Sequence, residues 1–176
     1  MSLPHEPRPL QILVAHDGSA DAAAAVELTA ATFPGARTTV LSVWEPLIGD
    51  ALQLRPETAT MKIALRAAQH ACNLGLAAQP RWNAGVADVW RAILDEADRE
   101  QADLIVTGRR GLAGNGSSQH GSVARHVLRH ADRPVLVVPS AKTAVGPTGA
   151  ARGEPVADRA FPTGGLRVQV VPLEEV

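Results

Sequence analysis

Gly108-Arg109-Arg110-Gly111, nine further residues and then Gly121-Ser122 put flexible backbone after one apolar run and a Gly-Ser pair before another. The first run, Ala102-Asp-Leu-Ile-Val-Thr107, has the length of a strand, whereas Val123, Val127, Leu128 and Ala131 recur at helical spacing. The glycines therefore occupy a βα connection. Lacking side chains, Gly108, Gly111 and Gly121 let the main chain approach a ligand, and the unpaired N–H groups at a helix start, with the positive end of its dipole, attract an anion. Ser122 adds a hydroxyl able to donate to a phosphate oxygen, and Arg109 and Arg110 add charge-assisted donors. The chemistry on offer is phosphate binding; the plain alternative is a set of tight turns.

The elements that must position this loop follow from periodicity. An apolar run over residues 10–16 reads as a strand, and Asp17-Gly-Ser19 ends it and caps an alanine-rich helix over 20–31. Thr38 to Trp44 is a second strand, residues 57–74 a helix with Met61, Ala64, Leu65, Ala68 and Cys72 on one stripe, and Ala77 to Ala84 a third strand. Pro80 assigns that strand to an edge. Residues 87–101 form a helix with Val89, Ile93, Leu94 and Ala97 inward and Asp95, Glu96, Asp98 and Arg99 outward; a last strand covers Pro134 to Val138. Strands alternating with helices imply parallel pairing through right-handed crossovers, hence an α/β open doubly wound sheet. Such sheets bind ligands beyond the carboxyl ends of their strands.

Four segments in order resemble the universal stress protein family. They are the G-x2-G-x9-G-S spacing itself, Ile12-Leu-Val-Ala-His-Asp17-Gly-Ser19, Leu41-Ser-Val-Trp44 and Arg133-Pro-Val-Leu-Val-Val-Pro139. The resemblance spans residues 8–140 and implies a Rossmann-like, five-stranded parallel sheet of order 3-2-1-4-5, with Asp17 and the glycine loop facing one crevice. It implies an adenine nucleotide, ATP first, alone or with Mg2+. Asp17 would accept from the nucleoside, Val43 and Thr107 would line the adenine and ribose, and Gly108, Gly111, Gly121, Ser122 and Val123 would lie on the phosphate side, within reach of the Arg109 donor read from the residues themselves. It also implies a homodimer by antiparallel pairing of Pro134 to Val138. One departure stands out: Ser117-Ser-Gln-His120 is polar where the family usually has an apolar run, so ordering the loop costs more entropy on binding.

The implied function is an ATP-binding regulatory protein of the stress response rather than a turnover enzyme. Two alternatives remain open: slow ATP hydrolysis or autophosphorylation with Ser117, Ser118 or Ser122 as acceptor, and a dimeric interaction module that keeps the fold without the ligand. The sequence offers no catalytic residue: there is no G-x4-G-K-[ST], no G-x-S-x-G and no nucleophile with a partner.

A formal charge of −1 over 176 residues leaves no electrostatic footprint for nucleic acid, so Arg125, Arg129 and Arg133 read as a solvated helix face. The single cysteine, Cys72, excludes an internal disulfide framework and reads as a small buried hydrophobe in a reducing compartment. The first residues lack the pattern of a signal peptide and no run is long enough to span a bilayer, so the expected location is the cytoplasm. His126 and His130, one helical turn apart, have a metal-ligand spacing but no Glu in the HExxH position, and read as a solvated pair with no metal. His16, beside Asp17, reads as a packing residue. Residues 141–176 form a second region, a Pro/Gly/Ala-rich extension in which Leu166 to Val171 alternates like a strand; two readings stay open, a segment that docks on a sheet edge and a disordered tail with an incidental apolar end.

Overall fold

The computed structural model describes residues 8–44, 56–84, 88–112 and 121–139; the 141–176 extension, the Ser117–His120 run and most of the β4–α4 loop lie outside them. The elements are β1 (Gln11–Ala15), α1 (Ala20–Thr32), β2 (Arg37–Trp44), α2 (Pro56–Asn73), β3 (Ala77–Ala84), α3 (Val89–Arg99), β4 (Leu104–Gly108), α4 (Ser122–His130) and β5 (Val135–Val138). The five strands pair in parallel in the order β3-β2-β1-β4-β5, as the alternation and the resemblance implied.

Period-two alternation divides the strand side chains between two cores. Ile12, Val14, Val40, Val106 and Val138 pack under α1 and α2, while Leu13, Leu41, Ile105 and Val135 pack under α3 and α4. Leu13 and Val14 are fully buried although adjacent, because both faces of the central strand are covered. Ala22, Ala24, Ala25, Val26 and Leu28 bury much of the circumference of α1, and its alanines allow a close approach to the sheet. Thr29 is also buried and satisfies its hydroxyl on the Ala25 carbonyl at 2.7 Å.

Pro80 sits in edge strand β3, as expected. The Ala77 amide donates toward β2, to Ala36 O at 3.3 Å. By alternation Pro80 falls where the amide points away from the sheet, so its missing N–H costs the ladder nothing.

Four sequence expectations are corrected. The buried stripe of α2 is Ala64, Ala67, Ala68 and Ala71, whereas Leu65 and Cys72 are exposed. Cys72 is thus a surface thiol, its Sγ 3.5 Å from the Ala78 carbonyl, because small residues rather than large ones face the sheet. Glu96 of α3 is buried, not outward; it pairs with Arg99 one turn on and with Arg81 of β3 at 3.6 Å. Arg133 lies beyond α4 rather than on its solvated face. Its Nη1 donates to the Ala97 and Ala102 carbonyls at 2.9 and 3.0 Å, and its Nη2 to Asp98, so it ties the end of α3 to the start of β5. Its bond to Asp132, and then the charge of Asp98, hold the guanidinium pKa above its ordinary value against the opposing effect of burial. His126 and His130, finally, are more than a solvated pair: His126 is half-buried and His130 exposed, and both stack on Trp90 of α3.

Candidate functional site

The carboxyl ends of β1 and β4 are neighbours, with Ala15 opposite Thr107 in register, so the β1–α1 turn and the glycine loop meet at the reversal of strand order. The turn is built by Asp17-Gly18-Ser19. Gly18 has φ of +92°, a left-handed conformation that a side chain would strain. Asp17 Oδ1 accepts from the Ser19 amide at 2.9 Å, an Asx turn, and Ser19 Oγ accepts from the Ala22 amide at 3.2 Å as the N-cap of α1. The helix cap is therefore Ser19, which leaves the second oxygen of Asp17 for other work.

That oxygen reaches the glycine loop. Asp17 Oδ2 accepts from the Leu112 amide at 2.8 Å. Two more side chains of the same turn join it: the Ser19 hydroxyl donates to the Arg110 carbonyl at 3.2 Å, and Asp21 Oδ2 accepts from the Arg110 amide at 3.0 Å. Three polar residues at alternate positions thus hold Arg110 and Leu112, and with them Gly111, against the start of α1. Sequence reasoning missed Ser19 and Asp21 as site residues. Their signal was the D-G-S-x-D run, whose side chains look like ordinary capping groups until the partner loop is known.

Each glycine of the motif has a different reason to be there. A Cβ on Gly108 would lie 2.7 Å from the Asp21 carbonyl carbon and 2.8 Å from the Ala22 nitrogen, so Gly108 lets β4 end directly against the α1 backbone. A Cβ on Gly111 would lie 2.5 Å from Asp17 Oδ2, so Gly111 makes room for the carboxylate. A Cβ on Gly121 would lie 3.3 Å from the Arg109 carbonyl, which already accepts from the Gly121 amide at 2.8 Å. That bond closes the loop and brings the start of α4 back beside Arg109.

The remaining expected residues fall around this junction. Thr107 is buried at the end of β4, Val43 is half-buried near the end of β2, and both belong to the face covered by α3 and α4. Ser122 and Val123 are the first residues of α4, whose N-cap, Gly121, supplies no side-chain acceptor, so the first-turn amides are not capped by it. Arg109 and Arg110 are half-buried, and their buried Nε atoms have no hydrogen-bond partner among the described residues. Two cationic groups beside a helix start to which Gly121 gives no side-chain cap favour an anion. His16 does more than pack. Its Nδ1 accepts from the Gly18 amide at 3.1 Å, which requires the neutral ring, and burial moves its pKa below the ordinary value against the opposing pull of Asp17.

A model of the universal stress protein family matches residues 10–139. The chain belongs to that family. A universal stress protein of Thermus aquaticus is 38% identical over 139 residues, covering 72% of this chain and 96% of the relative. Among solved structures, a universal stress protein in complex with cAMP superposes with a TM-score of 0.54 at 24% identity, covering 74% of this chain and 97% of the other. A family member from Arabidopsis thaliana with AMP bound gives 0.54 at 17% identity, over 74% and 91%. At these identities the two structures establish a shared universal stress protein fold. Among the described residues no helix is long and apolar enough to cross a membrane, and no group of three or more His, Cys, Asp or Glu side chains is placed to hold a metal ion.

Proposed function

We propose that the chain binds an adenine nucleotide, ATP in the first instance, in the crevice between the carboxyl ends of β1 and β4, and acts as a regulatory protein of the stress response. The observation that carries this reading is the bond from Asp17 to the Leu112 amide. It joins the carboxylate assigned to the nucleoside to the loop assigned to the phosphates, so one ligand can engage both. Thr107 and Val43 supply the wall for the base and ribose. The Gly111 and Gly121 backbone, Ser122, Val123 and the Nε atoms of Arg109 and Arg110, which have no partner among the described residues, supply the phosphate end. A carboxylate has about four lone-pair sites and Asp17 uses two, so it retains capacity for a nucleoside donor. Mg2+ would enter with the phosphates, neutralising their charge. The complexes of similar structures with cAMP and AMP support an adenine ligand.

The proposed assembly is a homodimer in the cytoplasm, formed by antiparallel pairing of residues 134–138. Pro134 O and Val138 O accept from Ile105 and Arg109 of the β4 side, so by alternation the backbone groups of Val135 and Val137 face outward on an edge that no other described strand pairs. The test of the binding site is Gly121→Val. The added side chain crowds the Arg109 carbonyl where the loop returns to α4, and the expected result by calorimetry is loss of ATP binding in a protein that still unfolds cooperatively. Parent-like ATP affinity in this variant would overturn the phosphate assignment.

A further inference from the structure

Away from the glycine loop, α3 and α4 bring three rings together. The Trp90 ring lies 4.7 Å from that of His130 and 5.7 Å from that of His126, and the two imidazoles are 6.3 Å apart with their planes inclined by 12°. The Arg91 guanidinium lies 5.0 Å from the Trp90 ring centre. None of the three rings is assigned to the nucleotide, although His126 bonds the main chain of Ser122.

The decisive contact is His126 Nδ1 to the Ser122 carbonyl, 2.7 Å. A carbonyl only accepts, so Nδ1 carries the proton and a neutral His126 keeps its lone pair on Nε2. Histidines that ligate metals have this arrangement: the second ring nitrogen donates to a carbonyl or carboxylate, which fixes the tautomer and raises ligand basicity. His130 lies four residues on, on the same helix face. Both rings rest on one indole plate, which reduces the rotamer entropy lost on chelation. With metal–nitrogen bonds of about 2.0–2.1 Å, one ion spans imidazole centres at most roughly 6.5 Å apart, with the two nitrogens on opposite sides of it; the observed 6.3 Å therefore fits a trans pair as it stands, and tetrahedral or cis ligation requires the rings to close by about 1 Å or more.

We propose that Nε2 of His126 and Nε2 of His130 form a two-histidine site for a divalent transition metal ion, with water in the remaining positions. Imidazole ligands suit Cu(II), Ni(II) and Zn(II), and the order of affinity places Cu(II) first. The sequence reading assigned no metal here, because the Ser122 carbonyl and the Trp90 plate become visible only once α3 and α4 are packed.

The test uses the unaltered full chain, labelled with 15N at histidine and titrated with Zn(II). The expected result is that the Nε2 resonances of His126 and His130 move together and saturate at submillimolar Zn(II). Cu(II) is expected to quench the parent's tryptophan emission beyond that of Trp90→Phe, with at least tenfold weaker binding in His130→Ala. If neither Nε2 responds, if one responds alone, or if His130→Ala leaves the His126 response unchanged, the two-histidine site is wrong. The titration of the unaltered chain decides the matter even where a variant fails to fold.

Discussion

Replacing Gly111 by alanine separates the binding role of the glycine loop from its structural role. The new Cβ would stand 2.5 Å from Asp17 Oδ2 and must open to at least 3.4 Å for ordinary contact, a displacement of ~0.9 Å. The obstructing atom is the end of a side chain, so the Asp17 carboxylate rotates away rather than the backbone moving. The same oxygen accepts from the Leu112 amide at 2.8 Å, and a shift of this size breaks that bond. Hydrogen bonds to charged groups contribute about 1.5–3 kcal/mol; with Leu112 exposed, solvent screening reduces the stability loss to about 1 kcal/mol. Under the proposed function nucleotide binding loses more, because the carboxylate proposed for the nucleoside and the anchor of the proposed phosphate loop are displaced together. At about 1.4 kcal/mol per decade, loss of one such bond weakens binding at least about tenfold. Urea unfolding and ATP calorimetry on the same preparations give both numbers. Parent-like affinity, or a collapse in stability with no selective loss of binding, would refute the reasoning.

Gly108→Ala is expected to do the reverse, because its Cβ meets the α1 backbone at 2.7–2.8 Å; urea unfolding should show a loss of about 1–3 kcal/mol, and an unchanged midpoint would contradict the close approach. Ser19→Ala removes the α1 cap and a bond to Arg110, and should cost about 1 kcal/mol in thermal unfolding and weaken ATP binding, whereas a normal binding isotherm would remove Ser19 from the loop clamp. His16 has a lowered pKa, so the unfolded chain takes up its proton first; stability is full above about pH 6.5 and falls as pH drops from there toward the folded value, by at most about 1.4 kcal/mol per pH unit. His16→Asn keeps an acceptor for the Gly18 amide without titrating, and its unfolding midpoint should lose less between pH 7 and about pH 5 than the parent's; equal losses would exclude His16 as the source.

The fold was legible because both its signals are local. Strands alternating with helices fix parallel pairing, and Pro80 in Ala77–Ala84 marks the edge. The glycine spacing and Asp17 pointed to one junction, and these residues do meet there. What stayed hidden depends on partners distant in sequence. Ser19 and Asp21 look like helix-start residues, and only the arrival of Arg110, about ninety positions later, gives them a second role. Glu96 reads as solvent-facing on a helical wheel but is drawn inward by Arg81 from another element. Leu65 and Cys72 read as core residues by hydrophobicity, whereas the residues of α2 that face the sheet are the alanines, which permit close helix packing. Gly108 shows the same limit: its spacing suggests a phosphate contact, while its geometry gives it a packing role against α1.

The central claim, one adenine nucleotide spanning Asp17 and the glycine loop, is tested most directly by titrating the 15N-labelled full chain with ATP. Saturable shifts are expected at the amides of Leu112, Gly111, Gly121, Ser122 and Val123, with smaller ones at the Asp17–Ser19 turn and none at the opposite ends of the strands, such as Arg37 and Ala77. Absence of shifts at millimolar ATP, or shifts confined to residues outside the β1–β4 junction, would contradict it.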